Sequence, residues 1–449
     1  MGLFRSIEMR KGLQTLGLSF VEDGLTHFGG MVLIQRFCKR LKLRRRLQRS
    51  LRVWASHGDY PEADLILALA FAVIAGLRRI NKTEILQYNG PFLSLLGMPR
   101  FPDQSTLRRF LKRLPPGAIR RVVQTHDQLR QDLWAMPRAP SSLVFDLDSV
   151  VLTLYGKQQG ARIGYNPKKH GRRSYHPLLC FEEQRQEFWH ATLRPGDAGT
   201  NTGAIPFMRR CMAKVPTSIA RSRIRVRADA GFFGHRFVES LDQIGCGYAI
   251  VAREYKTIRS RAYSARFRPL RFGWDVGEFR YRPMHWSRPH RFVVVRRPLP
   301  EDPAEAKQMT LFKDRRYAYS LLVTNLPMSA WRVWRFYCPR ATIEKNIREL
   351  LYDLPLGKIP TDDWTANVAF FHIVLFAFNL VHWFKRLCLP PEYLRSTVET
   401  VRTDFLMLPA RLTCASHRNV LQLPRDYHYR DAFVAAFKKA SRLRLASKK

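Results

Sequence analysis

Acidic residues are scarce here: 36 Asp and Glu stand against 77 Lys and Arg, a formal net charge of +41 over 449 residues. A chain that is 46% hydrophobic and 12% aromatic has enough apolar material for a sizeable core, which excludes global disorder. Its length fits two or three domains. An excess of positive charge this large points to a polyanionic partner. The charges are spread along the chain instead of forming one run beside an apolar segment, which favours nucleic acid over a membrane surface. Charge alone leaves enzyme and structural binder level.

Cysteine pairing is lacking as well. The seven cysteines, at 38, 180, 211, 246, 338, 388 and 414, are odd in number and none has CxxC spacing. That excludes a zinc ribbon or a disulfide framework and leaves reduced cytosolic thiols. The stretch MGLFRSIEMRKGLQ lacks the apolar core and cleavage site of a secretory signal. Its first six residues fit a myristoylation pattern, one short enough to arise by chance. Long uninterrupted apolar runs are missing too. The longest, ANVAFFHIVLFAFNLVHWF (366–384), is broken by Asn367, His372, Asn379 and His382 and reads as a buried core helix, not a membrane span. DLILALAFAVIAGL (64–77) is too short to span and reads as a second core helix.

Residues 1–135 carry helical spacing and a basic run from Arg36 to Arg52. In PDQSTLRRFLKRL (102–114), with Ser105 as the expected N-cap, Leu107, Phe110, Leu111 and Leu114 share one face, while Arg108, Arg109, Lys112 and Arg113 share the other. Such a helix suits either solvent or DNA, and the net charge favours DNA. After the Pro-rich joint at 135–142 the texture turns to strands: LVFDLD, HPLLCF (176–181), FWHATLRPG (188–196), a helix from about 202 to 213, then RIRVRADAGFF (223–233). This order predicts an α/β domain with its active groups at strand ends. Residues 254–322 read as a β-rich insertion, and helices return from about 329 to a basic end.

The few acids that do occur stand in unusual places. Alternation puts Val144, Asp146 and Asp148 on one face of a strand otherwise built for burial. Buried carboxylates are costly unless a cation or hydrogen bonds compensate. Asp229 ends a second strand; alone it reads as a cap for the following helix. In RFYCPRATIEKNIRELLYDL (335–354), Arg340, Glu344 and Arg348 line up at helical spacing, which alone reads as a surface ion-pair ladder. Taken together, three carboxylates on two strand ends and one helix suit divalent metal. Mg²⁺ prefers oxygen ligands, and two ions about 4 Å apart activate a nucleophile and a leaving oxygen on a phosphodiester. The loop GYNPKKHGRRSYH (164–176) interleaves Lys168, Lys169, Arg172 and Arg173 with Tyr165 and Tyr175, a pattern that serves phosphate contact and stacking or a solvated loop equally. Trp274 and Trp286 read as core residues, with base stacking the alternative.

The segments DLDSVVLTLYGKQQGARIGYNPKKHGRRSYHPLL, RADAGFF and RFYCPRATIEKNIREL, followed by IPTDDWTANVAFFHIVLFAFNLVHWFKRL, resemble bacterial insertion-sequence transposases of the DDE type. The likeness is to the group with a β-rich insertion before the catalytic Glu, and it runs from about residue 20 to 440. It implies an α/β, RNase H-like catalytic core in two parts (136–253 and 323–390) split by the insertion (254–322). A helical, basic DNA-binding region (1–135) precedes the core and a helical basic region (391–449) follows it. Two Mg²⁺ ions, replaceable by Mn²⁺, are implied at Asp148, Asp229 and Glu344, with Asp146 the alternate for Asp148. The family's Tyr-two-Arg-three-Glu signature is met by Tyr337, Arg340 and Glu344. Arg340, Tyr337, Arg348 and the loop Lys168, Lys169, Arg172 and Arg173 are the expected DNA contacts. Leu351 stands where the pattern has Lys, six residues intervening after the Glu, and Val150 stands where Thr is usual. The implied activity is cut-and-paste transposition by a homodimer on double-stranded DNA, in the cytoplasm at the nucleoid. The alternatives are a transposase-derived DNA-binding protein that does not cut and an RNase H-like nuclease that cuts without joining.

Overall fold

The computed structural model describes residues 24–54, 58–136, 140–270, 273–299, 317–415 and 418–445. The MGLFRS motif lies outside them. A nine-stranded mixed sheet is the frame. In chain order its strands are β1 (Leu143–Ser149), β2 (Leu178–Glu182), β3 (Glu187–Thr192), β4 (Ile224–Ala228), β5 (Gly247–Val251), β6 (Arg268–Pro269), β7 (Asp275–Tyr281), β8 (His290–Pro298) and β9 (Tyr317–Thr324). They lie side by side as β6-β7-β8-β9-β5-β4-β1-β2-β3. β1, β4 and β5 are parallel, and the remaining pairings are antiparallel. Each parallel step needs a crossover, which the helical segments between those strands supply. The strands of the insertion extend this same sheet, because β9 pairs along β5 through Leu322↔Val251.

Among the described residues six α-helices precede the sheet: α1 (Met31–Arg40), α2 (Leu43–Leu51), α3 (Glu62–Ile74), α4 (Gly90–Leu96), α5 (Gln104–Arg113) and α6 (Pro116–Trp134). The rest are α7 (Ala204–Ala213), α8 (His235–Ile244), α9 (Lys256–Tyr263), α10 (Ala330–Tyr337), α11 (Ala341–Tyr352), α12 (Trp364–Cys388), α13 (Val398–Val401) and α14 (Arg430–Arg442). α5 keeps its two faces, with Leu107, Phe110 and Leu111 buried, but its cap is Asp103, whose carboxylate accepts from the Ser105 amide at 2.6 Å. Asp accepts as well as Ser at this position, and the chain turns two residues earlier than expected.

Among the described residues two large apolar clusters sandwich the sheet, and a third, smaller one packs Val276, Val293, Val295 and Leu322 with Val333 of α10. One face carries Leu143, Phe145, Leu147, Val226 and Ala228 under α7 and α8. On the other, Leu179, Phe181 and Phe188 meet α11 and α12, and the same apolar cluster continues into α1–α6 and α14. α12 is the spine of this second core. It is long and apolar enough to cross a membrane by length and composition, yet the protein itself buries it. Both of its asparagines are hydrogen-bonded, and a histidine lies near a carboxylate. Asn367 holds Thr361 and the Tyr175 hydroxyl, Asn379 brackets the Phe188 amide and carbonyl at 2.9 and 2.8 Å, and His382 lies 3.6 Å from Glu349. The C-terminal part departs from the all-helical expectation, because Ala410–Ala415 and Arg418–Gln422 form a hairpin joined by Leu25–Thr26. The pairing of Leu412 with Leu421 gives that hairpin an apolar contact that the basic composition conceals.

Candidate active site

The parallel register of β1 and β4 sets the site. Asp146 pairs with Arg227 and Leu147 with Ala228, so one step further Asp148 is level with Asp229, the residue just after β4. Two carboxylates thus stand at one height on neighbouring strands, on the face away from the core of Leu143, Phe145 and Leu147. Asp229 also caps the short turn Ala230–Phe232, accepting from the Gly231 amide at 2.9 Å. Across from the strand ends, α10 runs into a tight turn at Cys338–Arg340, where Pro339 needs no amide partner, and α11 follows. Glu344 lies in the first turn of α11, one turn beyond Arg340.

Both acids of β1 have cationic partners. Asp146, with no exposed surface, takes two hydrogen bonds from Arg227, Nε to Oδ1 at 2.6 Å and Nη2 to Oδ2 at 2.8 Å. Arg227 also donates to the Phe336 carbonyl at 2.8 Å, which ties α10 to the sheet. Burial lifts Asp146 to about 6 against the pull of Arg227. Arg340 serves Asp148: its Nη2 is 3.0 Å from Asp148 Oδ2 and 3.8 Å from Asp229 Oδ2, and its Nη1 donates to Glu344 Oε1 at 3.3 Å. Burial raises Asp148 to about 7, more than Arg340 and the Ser149 amide lower it, while Asp229 and Glu344 add to the rise. Burial opposes the charge on Arg340, yet Asp148, Tyr337, Asp229 and Glu344 hold its pKa above the ordinary value.

One guanidinium therefore occupies the point on which three carboxylates converge. Among the described residues no group of three His, Cys, Asp or Glu side chains is close enough to hold a metal ion, and Arg340 stands between the three acids here. The donor set suits a hard divalent cation nonetheless. All three side chains are carboxylates, and two of them lie within 4 Å of the same nitrogen.

The profile of the transposase DDE domain, group 1, matches residues 14–445. The chain belongs to this transposase family. Among curated proteins none matches it in sequence. Among solved structures it is similar to a piggyBac transposase, seen by cryo-EM in a synaptic complex with hairpin DNA, at 11% identity and a TM-score of 0.37, covering 83% of this chain and 85% of that one.

The other expected residues of the transposase have these surroundings. Tyr337, half-buried, rests against Trp334 at 6.3 Å, and Trp334 in turn against Trp274 at 6.3 Å. Trp286 is a core residue, packed on Phe233 and His290. Arg348 is exposed on α11, one turn past Glu344. Lys168, Lys169, Arg172 and Arg173 are all exposed on a loop built on a small sheet of Leu152–Thr153, Arg173–Tyr175 and Arg162–Ile163. No hydrogen bond or ion pair among the described residues joins them to the three acids. Leu351 is partly buried against the core of α11 and α12.

One group beside the centre is not apparent in the sequence. His176 bridges the Ala198 carbonyl (Nδ1, 2.6 Å) and Ser149 Oγ (Nε2, 3.0 Å), and Ser149 also meets Thr200 Oγ1 at 3.1 Å. With Nδ1–H donated to the carbonyl, Nε2 accepts from Ser149, whose own amide donates to Asp148 Oδ1 at 2.7 Å. The position of His176 immediately before β2 and of Ala198 in a glycine-flanked loop left no periodic signal for this bridge.

Proposed function

We propose that the chain is the DNA transposase of an insertion sequence, binding terminal inverted repeats and catalysing Mg²⁺-dependent phosphodiester cleavage and strand transfer. The observation that carries this reading is the convergence of Asp148, Asp229 and Glu344 on one cationic point in a chain of the DDE transposase family. The strand order β3-β2-β1-β4-β5, with only β2 reversed relative to both neighbours, supports an RNase H-like core. Residues 254–322 are then its insertion, with the basic regions 1–135 and 391–449 on either side.

Asp148, Asp229 and Glu344 are the residues that would hold the metal. Divalent magnesium, when bound there, supplies Lewis-acid activation of the nucleophile and charge stabilisation on the leaving oxygen. Arg340 exchanges its carboxylate partners for a DNA phosphate, which a guanidinium grips through paired hydrogen bonds. Tyr337, Arg348 and the loop Lys168, Lys169, Arg172 and Arg173 add contacts along the strand. Cleavage frees a 3′-hydroxyl that joins target DNA, and a homodimer at the nucleoid would bring two ends together.

The departure at Leu351 favours one other reading, a DNA-binding derivative that does not cut. Incubating a duplex bearing the inverted repeats that flank the gene with Mg²⁺ separates the two. The wild type should nick at the repeat boundary, and Asp229→Ala and Glu344→Ala should lower the rate by at least 10²-fold, the order of magnitude for loss of a main electrostatic group. Tight repeat binding without cleavage in Mg²⁺ or Mn²⁺ would instead select the derivative.

A further inference from the structure

A second charged feature lies outside the carboxylate centre. A cleft of about 450 Å³ opens between the N-terminal helices, the segment after β1 and the loop after α11. Arg78, Arg79, Arg108 and Lys358 line it, with Tyr155 and Gln158, and no Asp or Glu does so. Arg79 and Lys358 are exposed, Tyr155 is 75% exposed, and Arg108 is spent only on the neutral Gln104 at 2.9 Å. Four cations around a small concavity with no counter-carboxylate repel one another, so the arrangement suits an anionic ligand.

Two further observations connect this cleft with DNA. The basic loop is built onto its floor: the Leu154 amide donates to the Arg173 carbonyl at 2.9 Å, Asn166 donates to Thr153 Oγ1 at 3.0 Å, and Arg172 lies over the Tyr155 ring at 5.9 Å. Both walls also continue from elements of the carboxylate centre. Thr153 follows Asp148 by five residues, and Lys358 follows the helix of Glu344. Five residues span at most about 17 Å. Phosphates of one duplex strand recur every ~3.4 Å of axis, so the cleft is within about five phosphates of the centre.

We propose that this cleft is a phosphodiester-backbone site, in which Arg79, Arg108 and Lys358 hold the phosphates of the strand that also reaches Asp148. It rests on the transposase reading and adds to it a set of contacts from the N-terminal helices. Phosphate contacts position a strand without reading its sequence, so the site acts equally on all bound ends.

The test is fluorescence anisotropy of a labelled duplex with the full chain across a salt series, for wild type, Arg79→Gln, Lys358→Gln and the double variant. Arg209→Gln, an exposed change on α7 over the opposite face of the sheet, is the charge-matched control. Each cleft change should flatten the slope of log affinity against log salt by about 1 and weaken binding roughly five- to tenfold at 0.1 M salt, the same for any duplex sequence. The control should do neither, and the thermal midpoints of all variants should match. Cleft variants indistinguishable from the control, alongside a wild type that binds and cleaves, would overturn the site and leave the transposase reading standing. A wild type that neither binds nor cleaves would overturn the reading beneath both.

Discussion

Asp146 and Asp148 are neighbours on one face of one strand, yet their partners differ: Arg227 from the adjacent strand and Arg340 from a helix turn. The first is a buried pair whose members also tie α10 to the sheet. Arg227→Ala should destabilise the fold by about 3–5 kcal/mol in chemical denaturation, because it leaves Asp146 buried and uncompensated. Asp146→Leu combined with Arg227→Met should recover most of that loss. Glu182 makes a different prediction. It has no exposed surface, lies opposite Glu187 and accepts from the Arg185 amide at 2.7 Å. Burial raises it to about 8, more than the hydrogen bonds from Arg185 and Val144 lower it, with Glu187 adding to the rise. The folded chain therefore keeps a proton that the unfolded chain releases near pH ~4.3. This contribution to stability is complete below that pH and is lost as pH climbs through about 8. Thermal melts should show Glu182→Gln matching the wild type near pH 5 and exceeding it near pH 8. The carboxylates themselves were legible as strand-end acids and Arg340 by its spacing from Glu344, while Arg227 was not: it is one of 77 basic residues, and only register singles it out.

At the scale of elements, period 2 in LVFDLD and RIRVRA and the apolar stripe of α11 were enough to find β1, β4 and the Glu344 helix. β5 was not read, because GYAIV is five residues long and its partners, β4 and β9, are distant in sequence. The hairpin at 410–422 was hidden by its arginines and by an expectation of helix. α12 was read correctly as core, and the structure shows why its asparagines are tolerated. Asn379 pairs the Phe188 amide and carbonyl on the outer edge of β3, and the carbonyl also accepts from Arg130 Nη1 at 3.3 Å. Asn379→Ala should therefore cost about 1–3 kcal/mol for the Phe188 amide left buried and unpaired. Hydrogen exchange should speed up at the Phe188 amide while the amides of β1 keep their protection.

Across the whole molecule, one apolar cluster runs from α1–α6 through α11 and α12 to α14. The N-terminal helices thus share their core with the helices behind the sheet, so the basic region does not stand as a separate globule. A chain starting at residue 140 should expose the buried side of α12 and aggregate at salt concentrations where the full chain stays monodisperse in light scattering. The full chain should melt in one calorimetric transition. Composition had announced a basic, well-packed protein, but not that the same helices serve both properties.

The order in which the strands and helices are made also matters. Asp148 and Asp229 lie on paired strands early in the chain, and 111 residues separate Asp229 from Arg340. At roughly 5–20 residues per second, translation needs about 6–22 s to cover that distance. For that interval the emerging polypeptide has its two aspartates but neither the guanidinium that neutralises them nor the third acid. Asp148 therefore gains its counter-charge only once Arg340 has been synthesised.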